Sequence, residues 1–180
     1  KRIKPLMKED TYEDDSLVQK PGMLEVSHVS FVYPGREKIY EDFNLSAFPG
    51  QIIGVTGAVA CGKSTLGKTF LCEYPYEGRI RFHGKELSEM TKAERTGMIG
   101  YLGHDPELFN DSVRNNILLG DDDDPEKYLK AVCFDGEVAE MEEGMDTIVG
   151  NGGVRLSGGQ AQRLALARTL CHKRPVLILD

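Results

Sequence analysis

The sequence predicts an α/β fold in which a mostly parallel sheet is preceded by an antiparallel β layer and interrupted late in the chain by an α-helical subdomain. Three observations predict it. Period-two apolar positions at Leu24 and Val26, then Val29, Phe31 and Tyr33, followed by Asn44–Phe48, read as antiparallel strands. Continuous apolar runs at Gln51–Thr56, Met98–Leu102 and Pro175–Leu179 read as strands buried on both faces, as in a parallel sheet. Between Gly103 and about Arg174, strand signals nearly vanish and helical spacing replaces them.

Size and composition set the bounds. The chain has 180 residues, of which 40% are hydrophobic, enough for one α/β domain with a core. Its net charge of −7, without any basic cluster interleaved with aromatics, argues against a surface built to hold duplex nucleic acid, and no nucleic-acid partner is expected. Cys61, Cys72, Cys133 and Cys171 show neither C-x-x-C pairing nor zinc-ligand spacing, which reads as reduced thiols. The sequence contains no apolar run of membrane-spanning length and no signal peptide. It starts at Lys1 and stops at Asp180 directly after an apolar run, and so reads as part of a longer polypeptide.

In chain order, residues 1–20 carry mixed charge without a periodic apolar face and end at Pro21-Gly22, which reads as a linker. Residues 21–102 read as the α/β core. Within it, Gln51–Thr56 follows the Pro49-Gly50 turn, Leu66, Phe70 and Leu71 recur at helical spacing, and Gly78–Gly84 alternates as a strand, with His83 facing away from Ile80 and Phe82. Lys85–Thr96 reads as helix or turn, with Ser88 as its cap. Residues 103–174 form the helical subdomain, with helices expected at Ser112–Leu119, Pro125–Cys133 and Val138–Met145. The acidic run Asp121–Asp124 lacks the alternating oxygens and the glycine of a calcium loop. Asp124 capping a helix with Pro125 at its first position explains it better. Residues 175–180 read as a central parallel strand that brings Asp180 to its C-terminal end, where open α/β sheets gather ligands.

Two stretches carry chemistry. Gly57-Ala58-Val59-Ala60-Cys61-Gly62-Lys63-Ser64-Thr65 fits G-x-x-x-x-G-K-[ST], a match expected by chance on the order of once in a hundred such chains. Gly57 and Gly62 are expected to let the backbone turn through positive φ and approach an anion. The freed N–H groups and the positive end of the next helix would then face phosphate oxygens. Lys63 would reach the β and γ phosphates and Ser64 would ligate Mg²⁺, with Asp180 as the expected second partner of the metal, directly or through water. The second stretch is Leu156-Ser157-Gly158-Gly159-Gln160, with a chance expectation on the order of two in ten thousand. Ser157 and Gln160 make the S-x-x-Q of a capping box. The two glycines each cost about 1 kcal/mol against helix formation relative to alanine, which a cap alone does not require. They suit bare N–H groups that touch an anion. Tyr33, at a strand end before Pro34-Gly35, could stack on an adenine ring or pack on the sheet.

With GAVACGKST, LSGGQ and VLILD in that order, the sequence from about Met23 to Asp180 resembles the nucleotide-binding domain of an ATP-binding-cassette transporter, a P-loop NTPase core. The resemblance implies ATP and Mg²⁺ as cofactors, with Tyr33 on the adenine. It places Gly57, Ala58, Ala60, Cys61, Gly62, Lys63, Ser64 and Thr65 around the phosphates. Ser157, Gly158, Gly159 and Gln160 would meet the γ-phosphate held by a second, facing nucleotide-binding domain, so that two domains bind two ATP head to tail. The segments 108–117 and 147–153 are similar to the exporter branch, which implies transmembrane domains as partners and a place at the cytoplasmic face of the cell membrane, with ATP hydrolysis powering export. Three positions depart from the family. His104 stands where the family has a Mg²⁺-contacting glutamine, and Asn151-Gly152 replace an acidic and a basic residue in the loop toward the membrane domains. The glutamate that the family places after the last aspartate lies past Asp180, so residues 1–180 alone are expected to hydrolyse little. A degenerate or regulatory nucleotide-binding module, or a soluble cassette ATPase, are the rival readings.

Overall fold

The computed structural model describes residues 24–180, so the linker expected at residues 1–20 lies outside the described residues. Two compact units divide between Arg95 and Thr96.

In the first unit, β1 (Leu24–Val32), β2 (Lys38–Ala47), β3 (Glu77–Phe82) and β4 (Lys85–Glu86) form an antiparallel sheet in the order β2-β1-β3-β4. The apolar period of β1 slips by one residue between Val26 and Val29, and the ladders to β2 and β3 shift at the same place. A bulge absorbs the slip. His28 takes φ 54° and Asp42 φ 53°, and the His28 N–H donates to Asn44 Oδ1 at 2.8 Å. Leu24, Val26, Val29 and Phe31 therefore all reach the buried side. Gly78 of β3 crosses this bulge, where a Cβ would lie 2.4 Å from the His28 carbonyl oxygen.

Helix α1 (Lys63–Phe70) buries Leu66, Thr69 and Phe70. Thr69 gives its only hydroxyl proton to the Thr65 carbonyl at 2.8 Å, so in its 2.6 Å contact with Tyr40 the tyrosine is the donor. Tyr40→Phe is expected to lower stability by about 0.5–1.5 kcal/mol, measured as a shift in the urea midpoint at constant slope.

Two expectations are corrected in this unit. Gln51–Thr56 is not a buried strand: it carries no ladder, and Ile52, Ile53 and Val55 are 88%, 38% and 41% exposed. Apolar β-branched composition measures how well a segment suits a pleated, half-buried surface and supplies no neighbour to pair with. Ser88 does not cap a helix. Leu87–Glu89 is a 3-10 turn, and α2 (Lys92–Met98) begins instead at Thr91, whose hydroxyl accepts from Glu94 N–H at 3.2 Å while Glu94 Oε2 accepts from Thr91 N–H at 2.7 Å. The same carboxyl takes a hydrogen bond from Lys85, and with those from Thr91 its pKa is held down to about 2.

The second unit contains the parallel pair β5 (Ile99–Leu102) and β8 (Val176–Leu179), in register from Ile99↔Val176 to Leu102↔Leu179. Among the described residues β8 pairs with β5 alone, and Leu177 and Leu179 are 40% and 57% exposed, so it is an edge and not the central strand expected. Between these strands lie β6 (Asp111–Ser112), α3 (Val113–Leu118), α4 (Pro125–Ala131), α5 (Asp135–Ala139), β7 (Ile148–Val149) and α6 (Gly158–Cys171). Their core joins Val113, Ile117, Leu129, Phe134, Val138, Val149, Leu164 and Ala167. The helix expected over Val138–Met145 is shorter and earlier: α5 ends at Ala139, and Gly144–Asp146 is a 3-10 turn that no α-helix could run through, since Gly144 sits at φ 55°, outside the helical basin.

The acidic run stitches helices together. Asp124 caps α4 by accepting from Glu126 N–H at 3.0 Å, with Pro125 in the first turn. Asp121 Oδ2 lies 2.9 Å from His172 Nδ1 at the end of α6. Asp123 accepts from Lys127 and from the Tyr128 hydroxyl, and Lys127 foremost holds its carboxyl well below the usual range. Its contribution to stability is therefore present above the ordinary carboxylate pKa and lost only on strong acidification.

Candidate functional site

The phosphate-loop sequence leads into α1 through Gly62, the helix N-cap, at φ 98°. A side chain there is barred twice, by the left-handed backbone and by Ile39 Cγ2, which a Cβ would approach to 2.3 Å. Gly57 differs from the expectation. It does not take positive φ, and non-glycine Ala60 turns the loop at φ 62° instead. A Cβ at Gly57 would lie 2.6 Å from Cys61 Sγ, so a side chain there would have to displace that thiol. No side chain caps α1. Lys63 folds back over the loop and donates to the carbonyls of Gly57 at 3.0 Å and Ala58 at 2.9 Å. An ammonium is thus held at the mouth of the turn by neutral acceptors, which an anion's oxygens outcompete.

Tyr33 packs edge-to-face with Phe31, ring centroids 4.8 Å apart, and with Tyr74 at 5.4 Å. Its hydroxyl lies 3.3 Å from Thr65 Oγ1 in α1. The half-buried aromatic therefore belongs to the same unit as the phosphate loop and is tied to the helix that the loop opens. Tyr74 is a neighbour that no sequence pattern marked.

In the second unit α6 starts at Ser157. Both halves of the capping box are present: Ser157 N–H donates to Gln160 Oε1 at 2.8 Å, and Gln160 N–H to Ser157 Oγ at 3.3 Å. A Cβ added at Gly158 or Gly159 would meet nothing within 4 Å, and neither residue has positive φ. Among the described residues nothing requires glycine at either position.

Asp180 donates its N–H to the Leu102 carbonyl at 2.9 Å, and its Oδ2 accepts from the Tyr101 hydroxyl at 3.1 Å. Tyr101 stands opposite Ile178 in the parallel ladder, a placement that strand pairing decides. His104 is exposed in the loop after β5. That loop is gripped by α6 through main-chain carbonyls: Gln162 donates to those of Gly103 and His104, and Arg168 to that of Glu107 at 2.8 Å. Arg168 also lies 5.5 Å from the Phe109 ring centroid, and burial pulls its pKa down. The grip uses no atom of the His104 side chain.

Segments 108–117 and 147–153, singled out separately in the sequence, are joined. Strand β6 pairs with β7, Gly152 N–H donates to Asn110 Oδ1 at 3.1 Å, and buried Asn116 holds the backbone of Phe109, Asp111 and Ser112. Phe109, Ile148 and Val154 are 57%, 42% and 51% exposed there.

The family model for the ABC transporter matches residues 40–180. The chain belongs to the ABC transporter family. It is 36% identical over 91% of its length to the probable multidrug resistance ABC transporter ATP-binding/permease protein YheI of Bacillus subtilis, covering 29% of that protein. It is 37% identical over 99% of its length to an ATP-dependent lipid A-core flippase of Pseudomonas fluorescens, covering 30% of it. A bacterial Atm1-family ABC exporter with ATP bound matches its fold with a TM-score of 0.81 at 30% identity, over 91% of this chain and 30% of that one. This ABC transporter chain thus spans about a third of the length of the relatives it matches. The likeness to the exporter shows the expected fold class, α/β with an antiparallel N-terminal sheet and several helices.

Proposed function

We propose that the chain is the ATP-binding and ATP-hydrolysing domain of an ABC exporter, which powers transmembrane export by ATP-driven pairing with a second such domain. The observation that carries the reading is that one chain holds two helix starts shaped for an anion. One is uncapped and guarded by Lys63; the other is capped by Ser157 but left bare at Gly158 and Gly159. Each chain would supply the first start to its own ATP and the second to its partner's, which makes the site dimeric.

On this reading Lys63 exchanges its loop carbonyls for β- and γ-phosphate oxygens, and the N–H groups of residues 58–65 cradle them. Tyr33 carries the adenine. The Ser64 hydroxyl and the Asp180 carboxylate are hard oxygen donors, the type that Mg²⁺ takes, and they would hold it. When bound, Mg²⁺ offsets charge developing on the phosphates. Tyr101 orients Asp180 through the hydroxyl bond. The partner's Ser157 helix start stabilises the γ-phosphate only in the closed pair, so hydrolysis removes the contact that favours closure. His104 would act on the metal through water and not as a ligand, since an imidazole suits Mg²⁺ poorly. Residues 103–174 form the helical subdomain on this reading, and the surface of Phe109, Ile148 and Val154 would face the transmembrane domains at the cytoplasmic side of the membrane.

Replacing Tyr33 with alanine tests the adenine assignment. Loss of one stacking partner is expected to weaken ATP binding to the intact transporter about ten-fold and inorganic triphosphate not at all. Equal losses for both ligands would remove Tyr33 from the adenine.

A further inference from the structure

We propose that Glu137 is a positioning residue that sets the orientation of the Ser157–Gln160 helix start, and through it the rate of ATP hydrolysis. The inference rests on the nucleotide reading above and names a group that reading does not use.

Glu137 lies on α5, twenty-three residues before Gln160, and reaches across to α6 with both carboxylate oxygens. Oε2 accepts from Gln160 Nε2 at 2.8 Å. Oε1 accepts from Arg163 Nη2. Arg163 is placed in turn by the ring of Phe134, 5.2 Å from its guanidinium carbon, and Phe134 is wholly buried. The carboxylate is therefore held from the core outward.

Its chemistry decides what Gln160 can do. An ionised carboxylate only accepts hydrogen bonds, so the amide of Gln160 must turn its NH₂ toward Glu137. Its oxygen is then left facing Ser157 N–H, which is the contact observed at 2.8 Å. A flipped amide would set NH₂ against N–H and break half of the capping box. Between the two capped residues stand Gly158 and Gly159, with nothing packed on them. Glycine has the widest backbone freedom, so here the aim of the N–H groups depends on the cap and not on side-chain packing. Glu137 thus fixes the amide, the amide fixes the cap, and the cap fixes the donors offered to the partner's γ-phosphate.

The test uses the intact transporter with Glu137→Ala, Glu137→Gln and Arg163→Met. Glu137→Ala is expected to lower kcat about ten-fold, with KM for ATP changed less than about two-fold, because the phosphate loop is untouched. Glu137→Gln keeps the length but offers an NH₂ as well as an oxygen, so Gln160 is no longer obliged to turn its own NH₂ there, and kcat is expected to fall about three-fold. If the alanine variant fails to fold, Glu137→Gln takes its place, and parental kcat together with parental exchange at residues 157–160 would overturn the proposal. Arg163→Met removes the ion pair but leaves the Gln160 contact, and should cost less than Glu137→Ala. Amide hydrogen exchange at residues 157–160 should accelerate in Glu137→Ala and stay near the parent in Arg163→Met. Unchanged exchange in Glu137→Ala, or equal losses of kcat in Glu137→Ala and Arg163→Met, would overturn the proposal. Turnover that survives Lys63→Ala would instead overturn the nucleotide reading, and the exchange result would still decide the role of Glu137.

Discussion

Lys63→Ala is expected to lower ATP hydrolysis by the intact transporter about a hundred-fold or more, the scale seen when one preorganised donor is removed from a charged transition state. The ammonium of Lys63 now rests on the carbonyls of Gly57 and Ala58, both neutral acceptors within the loop. Moving it to phosphate exchanges these for charge-assisted bonds about twice as strong, so the gain comes with the ligand. Alanine loses that gain together with two loop contacts. Lys63→Arg separates the two losses: it keeps the charge but brings a planar fork where the loop holds a point charge, and it too should turn over poorly. The measurement is steady-state phosphate release beside nucleotide affinity. An alanine variant with parental turnover would mean that the anion lies elsewhere.

Gly158→Ala is expected to act in opposite directions on stability and on activity. The residue lies in the first turn of α6 without positive φ, and an added Cβ meets nothing within 4 Å. The helix should gain up to about 1 kcal/mol, since alanine loses less backbone entropy than glycine on ordering. Hydrolysis should nevertheless fall about ten-fold or more, because on the proposed reading the new methyl stands where the partner's γ-phosphate approaches the bare N–H groups. Thermal unfolding and steady-state ATPase on the same preparation check both signs. A general loss of fold cannot mimic the result, since the midpoint should rise as turnover drops. Parental activity with a raised midpoint would leave the two glycines without a ligand.

How much of this was legible in advance differs by element. The phosphate loop, the Ser157–Gln160 box, the Asp124 cap and the core strand β1 could all be read from residue spacing. Each depends on groups within a few positions of one another, and local chemistry at fixed spacing survives any fold. Gln51–Thr56 misled because its apolar β-branched run says what the segment tolerates and not what lies beside it. Val138–Met145 misled because helical spacing continued past Gly144, whose backbone leaves the helical basin.

Glu137, Tyr101, Tyr74 and Arg168 carried no signal in the sequence. Their partners stand far along the chain: Gln160 lies 23 positions from Glu137, Asp180 lies 79 from Tyr101, and Glu107 lies 61 from Arg168. Such contacts exist only after strand pairing and helix packing have spent the entropy of closing those loops.

The sequence by itself determined that this protein carries a phosphate-loop pattern, a glycine-opened helix start and an apolar strand followed by a carboxylate, because each is a short-range pattern of backbone freedom and charge. Only the tertiary structure decided which side chains aim them. A lysine resting on its own loop, a glutamate that turns an amide and a tyrosine that holds Asp180 each depend on distance in space, and sequence spacing does not report that distance.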